Sequence, residues 1–426
     1  MRELIIYGSL IGFPVRTLLL SFILILIFSF LSHPIYAQQD IPGVVASMGN
    51  GEPTVKDPDL KIETVTKGLM FPTTMAFVGP DDILVLEKNK GTVQRIVNGQ
   101  MLAAPLLQVN VSSEVERGML GIAVSKDNQT GIPIVFLYFT ESEGTKPMAS
   151  RLYRYELKND TLVDPKLLLE LPAEPGPRHN AGNIIIGPDN NLYVSVGDLD
   201  GHTTMAQNVE GGGKPDGSSA ILRITQDGHI PGGGILGDDG ISRKYYAYGI
   251  RNSFGMDFDP LTGKLWNTEN GPSYGDEINL VEPGFNSGWL EVQGMAPFNF
   301  YSEQDLVNFW GKGNYSDPEF VWTDTVGPTA IKFLQSDKLG MQYANDAFVS
   351  DVTQGNIYRF DLTNNRTGLK VEGSLADKIA NNATENNDII FGDGFGGISD
   401  LEVGPYDGYL YVVSLGHGAI YRIVPK

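Results

Sequence analysis

The chain has 426 residues, no cysteine and a formal net charge of −20 at pH 7. Without cysteine it has neither disulfides nor thiolate metal ligands, so any metal must be held by oxygen or imidazole groups. The excess of 51 acidic over 31 basic residues argues against binding to nucleic acid or to an anionic membrane surface, and suits a protein that holds cations.

The N-terminus predicts export from the cytoplasm. Arg2 and Arg16 are followed by an apolar run over residues 17–31, and Ala37 precedes a polar stretch. Positive charge, an apolar core of about 15 residues and then a small residue are typical of a signal peptide. We therefore predict a signal peptide over residues 1–37 and a secreted or extracytoplasmic protein. An uncleaved anchor is the alternative, because the run is just short of a bilayer span, and only then do we expect contact with a membrane.

The rest of the chain reads as one domain. Residues 38–60 form a loose polar lead-in, and from residue 61 to residue 426 glycine and proline are spread evenly, without a break in composition. We therefore predict a single domain over residues 61–426.

A short strand phrase recurs along this domain. It alternates apolar and polar residues and places an arginine before an aromatic or β-branched residue, at Arg95, Arg154, Arg223, Arg359 and Arg422. The alternation indicates a half-buried strand with its arginine on the wetter face. The intervals are about 60 to 70 residues, apart from one gap about twice as long that leaves room for a degenerate copy. The repeats then number six.

A second phrase runs in step with the first. It joins two apolar runs through a turn built on Pro with Asp or Gly, around Asp81, Asp189, Pro260 and Pro405. Such turns predict β-hairpins. Six repeated hairpin units with almost no helical periodicity favour an all-β fold, a six-bladed β-propeller of four-stranded antiparallel blades, closed by strands from near the two ends of the domain. A large β-sandwich is the alternative, but it does not predict so regular a repeat.

Chemistry-bearing residues lie on the turns between these strands. His179 is on a loop, where its imidazole can accept a proton from a hydroxyl; it could equally hydrogen-bond a neighbouring carbonyl. Arg251 can hold an anion, with Asn252 beside it, or can pair with a neighbouring blade. A carboxylate at Glu116 can accept hydroxyl groups or simply face solvent.

A second group of loop residues offers oxygen atoms. Gly271 and Pro272 form a turn whose carbonyls suit a hard cation such as Ca2+, and the carboxylates of Asp276 and Glu277 follow closely. Asp276 and Glu277 could instead serve a separate structural cation or cap the turn. This loop predicts that Ca2+ stabilises the protein.

Taken together, these residues resemble the soluble quinoprotein glucose dehydrogenase and aldose sugar dehydrogenase (glucose/sorbosone dehydrogenase) family, from about Glu63 to Pro425. The resemblance implies that His179 is the general base, that Arg251 and Asn252 contact pyrroloquinoline quinone, and that Arg251 stabilises the reduced cofactor. It also implies that the carbonyls of Gly271 and Pro272 bind the Ca2+ of the cofactor, and that Glu116 stands where relatives often have a substrate-contacting glutamine.

The chain departs from the family where relatives hold the carboxylates of the cofactor. Relatives have an Arg-x-Arg-Asp run that this chain replaces with Gly397, Ser399 and Asp400, and a lysine that it replaces within Ser350–Gln354. Lys332 and Arg178 are the nearest cations in the sequence, and neither matches by position. Burying a tricarboxylate without cationic partners is costly.

Two hypotheses follow. The first is an exported dehydrogenase that oxidises a sugar or alcohol hydroxyl with pyrroloquinoline quinone and Ca2+ and passes electrons to an external acceptor. The second is a non-catalytic propeller of the same lineage that has lost the cofactor clamp and binds carbohydrate or protein. A lactonase-like hydrolase is a third candidate, but the sequence does not assemble the several acidic ligands that it needs.

Overall fold

Antiparallel strand pairs build nearly all of the computed structural model, which describes residues 51–232, 234–238, 240–296 and 305–426. The predicted signal peptide and most of the predicted lead-in lie outside these residues. The described strands, numbered β1 to β29 in chain order, form six sheets.

The sheets are numbered along the chain, and the first strand named in each lies at one of its edges. Sheet 1 contains β3 (Pro72–Gly79), β4 (Asp82–Glu87), β5 (Thr92–Val97) and β6 (Gln100–Met101), with β7 (Leu107–Gln108) also paired to β5. Sheet 2 contains β8 (Met119–Lys126), β9 (Pro133–Glu143), β10 (Lys146–Lys158) and β11 (Thr161–Leu171). Sheet 3 contains β12 (Ile184–Ile186), β13 (Asn191–Val196), β14 (Ala220–Thr225), β15 (Tyr245–Tyr248), β19 (Phe285–Asn286) and β20 (Asn314–Tyr315).

The other three sheets follow the same plan. Sheet 4 contains β16 (Met256–Phe258), β17 (Leu265–Glu269), β18 (Asp276–Val281), β21 (Phe320–Trp322) and β25 (Ile379–Ala380). Sheet 5 contains β22 (Pro328–Phe333), β23 (Ala347–Asp351), β24 (Ile357–Phe360), β26 (Ile390–Asp393) and β1 (Thr54–Val55). Sheet 6 contains β27 (Ile398–Val403), β28 (Leu410–Ser414), β29 (Ala419–Pro425) and β2 (Leu60–Lys67).

Helical elements of the described residues are short. They are one α-helix, α1 (Ala383–Asn386), and the 3-10 turns Met205–Gln207, Gly240–Lys244, Met341–Tyr343 and Gly373–Leu375. Within the described ranges, no helix is long and apolar enough to cross a membrane.

The sheets are arranged in a closed ring. The first-named strand of each sheet contacts that of the next, in the order β3, β8, β12, β16, β22, β27 and back to β3. One apolar cluster lies between each pair of neighbouring sheets, including the pair formed by sheets 6 and 1. Burial between the sheets therefore stabilises the ring as a whole, and the predicted all-β propeller architecture is confirmed.

The ring closes as the sequence predicts. Strand β2, near the start of the described chain, pairs with β29 at its end, with Ile62 opposite Ile423. The chain therefore completes sheet 6 from both of its ends.

The prediction of uniform four-stranded antiparallel blades is wrong. Among the described residues, only sheets 2 and 6 have four strands, and sheet 3 has six. The pairings of β15 with β19, β19 with β20 and β21 with β25 are parallel. The strands added at the outer edges of sheets 3 and 4 are β19, β20 and β21, from the long gap between the Arg223 and Arg359 phrases, and β25, which follows Arg359.

The two repeated phrases meet within single sheets. Arg95 pairs with Asp82, at 2.6 Å, across the hairpin of sheet 1, and Arg422 lies 3.6 Å from Asp407 in sheet 6. The arginine of the strand phrase thus finds a carboxylate of the hairpin turn. Because these pairs are partly solvated, each contributes little stability, and they mainly fix the register of neighbouring strands.

Candidate active site

His179 lies on the loop that leads from sheet 2 into β12. Its backbone is left-handed, with a φ of +57°, and Ala181 has a φ of +49°. The loop packs closely on Gly197, where an added Cβ atom would come within 2.0 Å of the His179 carbonyl oxygen. This contact explains why a glycine follows β13.

The imidazole of His179 is buried and bonded on both nitrogens. Nδ1 is 2.6 Å from Oδ1 of Asp198, and Nε2 is 2.7 Å from Nη2 of Arg251. A guanidinium can only donate. Nε2 is therefore an acceptor and Nδ1 donates its hydrogen to Asp198, which is the arrangement of a neutral general base held by a carboxylate.

Asp198 is a site residue that the sequence analysis missed. Its Oδ2 accepts a hydrogen bond from Nε1 of Trp289 at 2.8 Å, so both carboxylate oxygens are engaged. The only signal in the sequence is its position directly after Gly197 at the end of a hairpin strand. No motif joins it to His179, which lies 19 residues earlier.

Arg251 connects His179 to the loop that follows β17. Its Nη1 donates to the carbonyl oxygens of Asn270, at 2.8 Å, and Gly271, at 3.0 Å, and its guanidinium lies over the ring of Trp289. Burial lowers the pKa of Arg251, opposed chiefly by Asp198 and Glu116. Its Nε is buried without a hydrogen-bond partner.

Glu116 and Asn252 hold the base loop from the other side. Oε2 of Glu116 accepts hydrogen bonds from the backbone N–H of His179 at 2.7 Å, the N–H of Asn180 at 3.3 Å and Nδ2 of Asn252 at 3.2 Å. Oδ1 of Asn252 accepts the N–H of Ala181 at 3.2 Å. The structure thus brings Glu116, His179, Arg251 and Asn252 together.

Three of the four predicted metal-ligating residues, Gly271, Pro272 and Glu277, border one small cavity beside Arg251, and Asp276 does not line it. The Gly271 carbonyl already accepts a hydrogen bond from Arg251. Asp276 caps the turn: its Oδ1 accepts the N–H of Gly271, and its Oδ2 accepts the N–H groups of Val326 and Gly327. Burial raises the pKa of Asp276 to about 6. Of the alternatives for Asp276, the cap is the one observed.

Glu277 lies on the neighbouring position of β18, where side chains point to the opposite face. Its Oε1 accepts the N–H of Gly294, and its Oε2 accepts bonds from Asn279 and Ser287. Burial, and then the charge of Glu269, raise the pKa of Glu277 well above its usual range. Among the described residues no group of three or more acidic or histidine side chains is arranged to hold a metal.

A cavity of about 210 Å³ lies on the axis of the ring, beside the base loop. Its wall combines hydroxyl, amide and apolar groups, drawn from the inner edges of all six sheets: Thr73, Thr74, Leu120, Asn183, Asn252, Phe254, Thr329, Thr353, Ser399 and Leu415. Glu116 and Lys88 also line it. His179 and Arg251 lie behind Ala181 and Asn252, not in the wall itself.

Positive charge is scarce around this cavity. Lys88 is the one cation among its described lining residues, and Nζ of Lys88 donates to the carbonyls of Ser113, Val115 and Arg117. Burial lowers the pKa of Lys88 to about 8. Arg178 is exposed, so it adds no positive charge to the wall of the cavity.

Lys332 is committed to a cluster further along the axis. Its Nζ lies 3.1 Å from Glu402 and 3.7 Å from Asp257, and the charge of Asp400 also acts on it. These residues belong to the first-named strands of sheets 4, 5 and 6. Lys332 therefore joins three neighbouring sheets in the ring and does not serve a ligand in the cavity.

Comparison with known proteins identifies relatives along nearly the whole described chain. A family model described as Glucose / Sorbosone dehydrogenase matches residues 69–422. The aldose sugar dehydrogenase YliI of Escherichia coli K12 is 26% identical over 377 residues, covering 86% of this chain and 93% of that protein. Quinoprotein glucose dehydrogenase B of Acinetobacter calcoaceticus is 30% identical over 249 residues, covering 53% of this chain and 51% of that protein.

A solved structure is similar over the same extent. It is a putative oxidoreductase (glucose dehydrogenase) of Thermus thermophilus, with a TM-score of 0.67 and 27% identity, covering 86% of this chain and 100% of that one.

Proposed function

Because this chain belongs to the glucose/sorbosone dehydrogenase family, we propose that it is a quinoprotein-type oxidoreductase that oxidises a sugar or alcohol hydroxyl. The observation that carries the proposal is the imidazole of His179, held between Asp198 and Arg251 beside an axial cavity. The relatives named as aldose sugar and quinoprotein glucose dehydrogenases support the same reaction class. The proposal takes each of the six sheets as one blade, so that the cavity lies at the mouth of the propeller channel.

The residues near His179 fit the quinone oxygens of the cofactor, whereas the described residues of the cavity wall offer its carboxylates only Lys88. Asn252 lines the cavity there, and two buried polar atoms, Nε of Arg251 and Oδ1 of Asn183, have no hydrogen-bond partner. Such atoms are groups that a polar ligand satisfies. Arg251, Asn252 and Asn183 would therefore hold pyrroloquinoline quinone, which when bound supplies the hydride acceptor.

The chain's own chemistry is proton transfer at one atom. Nε2 of His179 carries the lone pair that accepts the hydroxyl proton, and Asp198 stabilises the imidazolium that forms. Because Nε2 has a single lone pair, Nη2 of Arg251 must first give up its contact with this nitrogen. We propose that the released guanidinium would then be free to contact the quinone oxygens and help to hold the cofactor.

We propose that backbone carbonyl oxygens bind Ca2+. Those of Gly271 and Pro272 would be its ligands, and the Gly271 carbonyl is bonded to Arg251. The Gly271 carbonyl oxygen has two lone pairs, so the guanidinium and the metal could share it only as two neighbouring cations that repel each other. Melting in EDTA and then in excess Ca2+ tests this: we expect the midpoint to rise more in Arg251→Met than in the wild type. Equal midpoints with and without Ca2+ in both proteins would remove the metal from the proposal.

The direct test is reconstitution. Purified protein is titrated with pyrroloquinoline quinone in the presence of Ca2+, quinone absorbance reports binding, and dye reduction with a panel of aldoses reports turnover. We expect quinone-dependent dye reduction by the wild type. If the protein binds quinone but reduces no dye with any aldose or simple alcohol, the proposal that it is a dehydrogenase is wrong.

A non-catalytic propeller that binds carbohydrate or protein is the second candidate. It is favoured by the scarcity of cations around the cavity and by the contact between Arg251 and Nε2 of His179. Calorimetric titration with aldoses in the absence of quinone separates the two. Sugar binding that is unaffected by quinone and by His179→Ala would favour this second function.

Localisation is a further part of the proposal. We propose that residues 1–37 direct export and are removed, and that residues 61–426 act outside the cytoplasm with an external electron acceptor. Cell fractionation and N-terminal sequencing of the mature protein test this. A protein that starts at residue 1 in the membrane fraction would instead support the uncleaved anchor.

A further inference from the structure

We propose that Glu116 is the positioning residue of the base loop. The role rests on the proposed function, in which His179 is the base. It follows from what the carboxylate touches: Oε2 already accepts three hydrogen bonds, all from the segments that carry His179 and Arg251.

The first two bonds stabilise a costly backbone conformation. His179 and Ala181 are both left-handed, a conformation that costs about 1–2 kcal/mol for a residue with a Cβ atom. The consecutive N–H groups of His179 and Asn180 point to the same oxygen of Glu116, at 2.7 and 3.3 Å. Consecutive N–H groups of this kind form a concave site for an anion, and the Glu116 carboxylate fills it.

The third bond extends the arrangement to the neighbouring loop. Asn252 donates from Nδ2 to Oε2 of Glu116 and accepts the Ala181 N–H on its Oδ1. Asn252 also follows Arg251 directly. One carboxylate oxygen therefore fixes the distance between the loop that carries the base and the loop that carries the guanidinium.

Lys88 holds Glu116 itself in place. Its ammonium donates to the carbonyls of Ser113, Val115 and Arg117, on both sides of Glu116, and its charge is near that of Glu116. The loop is thus anchored before the carboxylate reaches across. Glu116 sets the backbone of His179, and Asp198 sets its ring.

Because Glu116 holds the backbone of His179 and Asp198 holds its ring, variants of Glu116 should differ in how well they keep the ring in place. Filling the site requires an acceptor oxygen, which glutamine retains and alanine lacks. We expect Glu116→Gln to resemble the wild type. In Glu116→Ala the loop relaxes and the imidazole leaves Asp198, so kcat falls about 100-fold, the effect of a misplacement near 1 Å, while KM changes little. Glu114→Ala is the matched control, because Glu114 is an exposed carboxylate of the same loop.

The experiment uses the full chain labelled with 15N-histidine. The Nδ1 proton of His179, donated to Asp198, is identified as the signal lost in His179→Gln. We expect it in the wild type, Glu116→Gln and Glu114→Ala, and not in Glu116→Ala. If Glu116→Ala does not fold, Glu116→Met replaces it, since methionine fills the space without accepting a hydrogen bond.

The outcomes separate the two proposals. Retention of the signal in the alanine or methionine variant, or its loss in Glu116→Gln, would overturn the positioning role, as would a failure of both apolar variants to fold. If no variant oxidises any sugar while the signal follows the expected pattern, the proposed function fails and the positioning role stands.

Discussion

Two parts of the ring axis hold buried charge in different ways. Around His179, the charged groups bond to backbone, a side-chain amide or a neutral ring. Glu116 accepts backbone N–H groups and the Asn252 amide, Arg251 donates to carbonyls and the imidazole, and Asp198 accepts from the imidazole and an indole. Further along the axis, Lys332 faces the three carboxylates of Asp257, Asp400 and Glu402 directly. The charged groups around His179 are bonded to neutral dipoles, so they remain available to a reacting group. The charges around Lys332 are bonded to opposite charges and mainly link neighbouring strands.

The base region gives the largest expected effect. His179→Ala removes the proton acceptor but no contact between sheets. We therefore expect a loss of turnover of about two to four orders of magnitude, with the fold and the quinone affinity nearly unchanged. Steady-state dye reduction and a quinone titration measure both quantities. Turnover close to that of the wild type would make His179 an ordinary loop residue.

For the cluster of Lys332 with Asp257, Asp400 and Glu402, we expect substitutions to reduce stability and not activity. Lys332→Met leaves three carboxylates without their cation, in a site where the lysine side chain is 13% exposed. We expect the free energy of unfolding to fall by about 3–5 kcal/mol, measured by denaturant titration. Lys338→Met is the control, because Lys338 is an exposed lysine at the same end of the axis. Equal losses in the two variants would contradict the linking role.

The cavity between these regions lacks the cations that a tricarboxylate needs. Two absent charge-assisted contacts amount to roughly 3–6 kcal/mol, so we expect the wild type to bind pyrroloquinoline quinone weakly. Ser399 lines the cavity, and Ser399→Arg should tighten binding about 10- to 150-fold, equivalent to about 1.5–3 kcal/mol. Absorbance titration measures it, with Ser399→Gln as the uncharged control.

Gly397 is a less suitable position than Ser399 for introducing an arginine. Its φ is +76°, a region that strains any residue with a Cβ atom, so adding Gly397→Arg should lose part of the gain. Tight quinone binding by the unmodified protein would show that other residues form the clamp.

The smallest expected effect is a pH dependence of the free energy of unfolding that arises from the carboxylates around Lys332. Burial raises the pKa of Asp257, of Asp400 and of Glu402. An acid whose pKa is raised on folding binds its proton more tightly in the folded state. Its contribution to stability is therefore full below the unfolded pKa, near about 4, and is lost as the pH rises through the raised value.

We thus expect the free energy of unfolding to fall as the pH rises from about 4 toward neutrality. Glu402→Gln should flatten this slope by up to about 1.4 kcal/mol per pH unit. Asp337→Asn, at an exposed aspartate of the same end of the axis, should leave the slope unchanged. Urea titrations at several pH values measure it, and parallel slopes for all three proteins would show that the cluster does not titrate in this range.

The propeller, its closure and the loop position of His179 could be predicted from the sequence. Alternation at period two and repeated Pro-Asp-Gly turns are local consequences of strand and hairpin geometry, so they can be read without coordinates. The resemblance to a known family then singled out His179, Arg251 and Asn252, and the structure brings them together.

The contacts of each charged residue could be known only from the three-dimensional structure. Asp198 meets His179 because two loops of sheet 3 converge, Asp276 turns inward as a cap, and Glu116 faces two backbone N–H groups instead of the cavity alone. Lys332, a cation that the sequence offers as a replacement for the clamp, is held by carboxylates from neighbouring sheets. Contacts between sheets depend on packing over long sequence separations, and no local pattern of residue types encodes them.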